Sequence, residues 1–246
     1  PPPPPPPPPF FFFTLTTESP MLRSLVGSEM CIRDRYMIDR LQALQLIPVV
    51  ALERAADAEP LADALCAGGL PCAEITLRTE AALDSLRALA GREEFLLGAG
   101  TVHSAEQAAA AVDAGAQFVV TPGFNPRTVK WCQENQVPVF PGIATPTDLE
   151  LALEHGVETV KFFPAETLGG VNTLKAFSGP YGQMRFIPTG GIHAGNLADY
   201  LALPSVLACG GSWMVKPELI NSGRLSEISK ISEDCLLYTS DAADEG

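Results

Sequence analysis

The run Glu158-Thr159-Val160-Lys161-Phe162-Phe163-Pro164-Ala165 places a lysine among β-branched and aromatic residues and ends on a proline. That is the composition of a short buried strand, where a lysine needs a reason to be present. Alternation puts Thr159, Lys161 and Phe163 on one face and Val160 and Phe162 on the other. Burial disfavours a charged ammonium, and a neutral amine can attack a carbonyl carbon to form a Schiff base. The alternative is a strand-end lysine whose head reaches solvent. In Cys72-Ala73-Glu74-Ile75-Thr76-Leu77-Arg78 the same period aligns Glu74, Thr76 and Arg78. Glu74 can serve as partner and general base to the amine, or as a structural ion pair with it. Gly190–Gly191 and Gly210–Gly211–Ser212 offer unhindered backbone N–H groups and a hydroxyl, which suit a phosphate.

These residues need a scaffold that presents strand ends together. Met37–Leu46 reads as a short helix feeding a first strand at Ile47–Ala51, and Ala55–Ala67 as a helix stopped by Gly68–Gly69. Further strands are predicted at Cys72–Thr76, Leu96–Ala99, Phe118–Thr121, Val137–Phe140, Thr159–Phe162, Arg185–Pro188 and Val206–Gly210, each followed by a stretch able to form a helix. Ser104–Gln107 and Thr147–Glu150 signal helix starts, and Gly115 and Gly156 helix ends. Counting the first, this makes eight βα units, the pattern of a single-domain (β/α)8 TIM barrel. In that fold function sits at the C-terminal strand ends, where Glu74, Arg78, Thr101, Lys161, Thr189 and both glycine pairs fall.

The ends of the 246-residue chain do not resemble its middle. A proline run and Phe10–Phe13 open it, and Leu25–Asp34 and Cys235–Glu245 resemble translated sequencing adapters. Residues 1–35 and 234–246 are therefore expected to be non-native flanks, leaving one domain over 36–233 with its final helix cut short near Glu233. Net charge is −13, and the acidic excess persists within 36–233, which disfavours nucleic acid and anionic membranes as partners. No apolar run reaches the ~18 residues of a membrane span. Cys66, Cys72, Cys132 and Cys209 lack a CxxC spacing, and His103, His155 and His193 lie far apart. That usage fits free thiols in a reducing, cytoplasmic compartment and gives no sign of a metal site or a bound cofactor.

Taken together, Glu74-Ile75-Thr76-Leu77-Arg78-Thr79, Gly98-Ala99-Gly100-Thr101-Val102, Lys161-Phe162-Phe163-Pro164-Ala165-Glu166, Pro188-Thr189-Gly190-Gly191 and Gly210-Gly211-Ser212-Trp213 resemble the motifs of the 2-dehydro-3-deoxy-6-phosphogluconate aldolase family. This class I family serves the Entner–Doudoroff pathway and is also associated with 4-hydroxy-2-oxoglutarate. The resemblance spans nearly all of Leu41–Ser232. It implies a metal-free homotrimeric barrel that cleaves a phosphorylated keto acid to pyruvate and glyceraldehyde 3-phosphate. It implies Lys161 as the Schiff-base lysine and Glu74 as the acid/base. Arg78 and Thr101 would hold the pyruvate carboxylate, Thr189 would touch substrate, and Gly190, Gly191, Gly210, Gly211 and Ser212 would bind the phosphate end. An epimerase or isomerase barrel would share the glycine loops but needs acid/base groups on either side of one carbon. A phosphate-ligand sensor would keep Lys161–Glu74 as an ion pair without turnover.

Overall fold

The computed structural model describes residues 36–244, with side chains through Leu236. The flank over 1–35 lies outside the described residues. A helix over 36–44 (α1) leads through Gln45, in the left-handed region at φ 56°, into β1, Leu46–Val50. Leu46 thus opens the strand and does not close the helix, as its spacing had suggested. The chain then alternates: α2 (Ala58–Ala67), β2 (Cys72–Thr76), α3 (Ala82–Leu89), β3 (Leu96–Gly100), α4 (Ala105–Asp113), β4 (Phe118–Val120) and α5 (Pro126–Glu134). It continues with β5 (Val139–Phe140), β6 (Gly142–Ile143), α6 (Pro146–Glu154), β7 (Thr159–Phe162), α7 (Gly170–Ser178), β8 (Arg185–Pro188), α8 (Leu197–Leu201), β9 (Cys209–Gly211), α9 (Pro217–Asn221) and α10 (Leu225–Asp244).

The fold is a parallel-strand α/β architecture. One sheet runs β5-β4-β3-β2-β1-β9 and a second β6-β7-β8. Where sequence reading expects one strand over Val137–Phe140, Pro141 divides an extended segment in two. Proline has no N–H to donate, so the β4 ladder ends there. The Pro141 carbonyl accepts from Lys161 N–H at 2.8 Å and Gly142 starts the pairing with β7. The Thr121 hydroxyl accepts from Gly142 N–H across the gap. At the other seam, single bridges Thr189–Gly210 and Phe186–Val206 connect β8 to the β9 region, so the strand expected at Val206–Gly210 begins later, at Cys209.

Alternation along the strands sorts the core into two layers. Val50, Ala73, Ile75, Leu97, Ala99, Val119, Val160 and Phe162 face the helices in one cluster. Ile47, Cys72, Leu96, Phe118, Val120, Phe140 and Ile187 form the other, closed below by Met37 and Leu41 of α1. Lys161 and Glu74 share the parity of this inner layer.

Helix ends follow local chemistry. Ser104 accepts from Gln107 N–H, and Gly115 and Gly156 take positive φ just after α4 and α6. The α6 start lies slightly upstream of its predicted place. Thr145 and Asp148 form a reciprocal capping box, with Pro146 at the first turn. At the chain's end α10 runs well past Glu233, because Ile228, Ile231 and Cys235 continue an apolar spacing of three and four. Cys235 is buried and accepts from Trp213 Nε1 at 3.3 Å. Among the described residues no helix is long and apolar enough to cross a membrane.

Candidate active site

Lys161 is third in β7, and its side chain points into the inner layer toward β2. Its Nζ lies 3.1 Å from Glu74 Oε1, with the residues 6% and 3% exposed. Two charges are kept out of water here with each other as partner, an arrangement that contributes little to stability against an apolar pair but fixes the amine beside a carboxylate. The strand-end alternative for Lys161 is excluded by this burial.

Room for the Glu74 carboxyl is made by β3. After Leu96 its inward positions are Gly98 and Gly100, and a Cβ at Gly100 would fall on Glu74 Oε1 while one at Gly98 would fall on the Phe118 ring. Sequence reading treated Gly100 as a strand-end residue only. The parity of β3, two glycines on the face that elsewhere carries large side chains, was the available signal. Phe163 was likewise not singled out for a role. Its ring stands 5.5 Å below Lys161 Nζ and is 37% exposed, so it forms an aromatic wall between amine and solvent.

The other predicted residues take two places around this pair. Arg78 stands just beyond β2, its Nε donating to Thr76 Oγ1 at 3.1 Å. Thr101 follows β3 in the left-handed region at φ 57°, which is uncommon for a threonine and turns the chain sharply at the strand's end. Thr189 is buried at the end of β8, its N–H donating to Phe162 O at 2.9 Å, and a Cβ at Gly210 would fall on its hydroxyl. Gly190 and Gly191 follow with φ 98° and 83°, a succession only glycine adopts readily. Gly210 and Gly211 are buried within β9 beside β1, where a Cβ at Gly211 would fall on the Trp213 indole, and the exposed Ser212 follows the strand.

The glycine loop after β8 is braced from below. Glu166 N–H donates to Gly190 O at 3.0 Å, its Cβ and Cγ would lie 2.6 Å from a Cβ at Gly191, and Oε1 accepts a short hydrogen bond from the buried Tyr200 hydroxyl. Burial, followed by that bond, pushes the Tyr200 phenol well above its ordinary range, so it remains a donor. Nothing in sequence spacing marked this brace. Among the described residues no group of three or more His, Cys, Asp or Glu is placed to hold a metal ion.

A family model described as "Aldolase: KDPG and KHG aldolase" matches residues 37–231. The chain belongs to the KDPG and KHG aldolase family. A relative named 2-dehydro-3-deoxy-phosphogluconate aldolase, from Haemophilus influenzae, is 49% identical over 208 residues, covering 84% of this chain and 98% of the relative. Among solved structures, the KDPG aldolase of Legionella pneumophila, with pyruvate captured at low pH as a covalent carbinolamine intermediate, superposes with a TM-score of 0.76 at 40% identity, covering 78% of this chain and 93% of that one. The 2-keto-3-deoxy-6-phosphogluconate aldolase of Zymomonas mobilis with 3-phosphoglycerate gives 0.75 at 38%, covering 80% and 94%.

Proposed function

We propose that this KDPG/KHG aldolase family member is a class I aldolase cleaving 2-dehydro-3-deoxy-6-phosphogluconate to pyruvate and glyceraldehyde 3-phosphate, and 4-hydroxy-2-oxoglutarate to pyruvate and glyoxylate. The observation that carries the reading is the buried Lys161 amine 3.1 Å from the Glu74 carboxylate. The amine adds to the keto carbon, and loss of water from the carbinolamine leaves an iminium that acts as an electron sink. Glu74 takes the proton of the hydroxyl two carbons away. The bond between the carbon adjacent to the iminium and the hydroxyl-bearing carbon breaks, its electron pair flows toward the iminium nitrogen to leave an enamine, and the aldehyde leaves. Glu74 then returns a proton to the enamine carbon, and water releases pyruvate and the free amine.

Arg78 and Thr101 would hold the carboxylate, for which the Arg78 fork is suited. Thr189 would lie along the substrate. The amides of Gly190, Gly191, Gly210 and Gly211 and the Ser212 hydroxyl would take the phosphate. The reading includes closure of the two sheets into one (β/α)8 barrel, supported by the hydrogen bond across Pro141 and the bridges to β9. A homotrimer acting in the cytoplasm, with residues 1–35 and 234–246 as non-native flanks, completes it. Incubation with pyruvate and borohydride tests the chemistry: a reduced pyruvyl group should form on Lys161 with chelator present. Labelling of Lys175 or another lysine in its place would overturn it.

A further inference from the structure

Arg78 is an exposed arginine on a loop, yet the segment that carries it is sewn to both neighbouring strands. Leu77 N–H donates to Gly100 O of β3 at 2.8 Å, and Thr79 Oγ1 donates to Leu52 O after β1 at 2.6 Å. Thr76, fully buried at the end of β2, spends its only O–H proton on Val50 O at 2.8 Å. Its oxygen therefore turns lone pairs toward Arg78, and Nε–H donates there at 3.1 Å. With Nε engaged, the guanidinium has lost the edge formed by Nε and one terminal nitrogen. The edge formed by the two terminal nitrogens remains, and neither of them makes a hydrogen bond or ion pair among the described residues.

We infer that Thr76 is a positioning residue that aims this terminal edge of Arg78 at the substrate carboxylate, so that recognition of the 2-keto acid depends on a hydroxyl that never touches it. The inference rests on the reading of Arg78 as the carboxylate clamp. An unheld arginine has many rotamers and would have to order on binding, whereas one fixed at Nε is ordered beforehand. Thr76→Val keeps the shape but removes both the donor to Val50 O and the acceptor for Nε. Thr76→Ser keeps both.

The test measures half-saturation of borohydride trapping by pyruvate and by hydroxyacetone, a ketone without a carboxylate. Thr76→Val should raise the value for pyruvate roughly tenfold and leave that for hydroxyacetone unchanged, while Thr76→Ser restores the parent value for pyruvate. A merely structural role would raise both ketones together, and that result, or no change for pyruvate, overturns the inference. Arg78→Ala separates the layers. If it shifts pyruvate but Thr76→Val does not, the positioning role fails alone; if it shifts nothing, the clamp reading fails and takes the positioning role with it. Should Thr76→Val not fold, Thr76→Ala in the same assay decides between these outcomes.

Discussion

The two ends of the site are built from different materials. At the proposed pyruvate end the working groups are side chains: Lys161 and Glu74 meet at 3.1 Å, and Arg78 and Thr101 stand at the neighbouring strand ends. At the proposed phosphate end they are backbone amides of glycines: Gly190, half-buried, and Gly191, exposed, lie in the loop after β8, and Gly210 and Gly211 lie buried in β9. The first end is held by strand pairing and by the hydroxyls of Thr76 in β2 and Thr79 just beyond it. The second is held by supports beneath it, Glu166 with Tyr200 under one loop and the Trp213 indole against Gly211 under the other. A covalent step requires particular atoms at particular places, so its residues cannot be exchanged. Anion binding requires only convergent donors, so the identity of the loop matters less than its shape.

This contrast ranks the outcomes of substitution. Lys161→Arg keeps the charge beside Glu74 but offers no amine for an imine, so turnover should fall by on the order of 10⁴-fold or more. Thermal melting should stay close to the parent, and any residual borohydride labelling would show that another lysine does the chemistry. Glu74→Gln should cost ~10²–10⁴-fold in kcat while imine trapping persists, because the amine remains and only the proton transfers are lost. Trapping lost in step with kcat would make Glu74 a structural partner and erase the distinction between its two readings.

At the other end, Gly211→Val forces the loop off the Trp213 ring. KM for the phosphorylated substrate should rise roughly tenfold or more while 4-hydroxy-2-oxoglutarate is affected much less. Equal effects would mean that this loop serves the fold and not the phosphate. Tyr200→Phe removes the hydroxyl that holds Glu166, and a rise of about threefold to tenfold in the same KM with kcat unchanged is expected, since the brace acts through the loop and only part of the hydrogen bond's worth reaches the phosphate. A fall in kcat of similar size would show that the brace supports the β7 end, with Lys161, more than the glycine loop.

The smallest effect expected is none. Cys72 borders Glu74 and Cys209 borders Gly210, and burial, assisted at Cys72 by the Glu74 carboxylate, pushes both thiols well above their ordinary range. A raised value means the protonated, unreactive form at pH 8, so iodoacetamide should label exposed Cys66 and leave activity intact. Loss of activity toward one substrate only would identify which end opens.

Sequence alone determined the parity of the strands. A period of two follows from backbone geometry within a few residues, so the shared face of Glu74, Thr76 and Arg78 and the inward direction of Lys161 were legible, as were the glycine pairs and the ends of α4 and α6. Tertiary structure decided what depends on distant partners. The Lys161–Glu74 pair joins residues 87 apart, and the Tyr200–Glu166 brace residues 34 apart. The emptiness of Gly100 has meaning only once Glu74 lies over it. That the strand expected at Val137–Phe140 starts at Val139, and that a second one follows Pro141, depended on which neighbour each segment could reach. The adapter resemblance suggested a last helix cut short near Glu233, whereas α10 continues, with an apolar face through Cys235 that meets α2 and Trp213. Local periodicity tells which way a side chain points; what it meets is set when the strands associate and bring far segments into register.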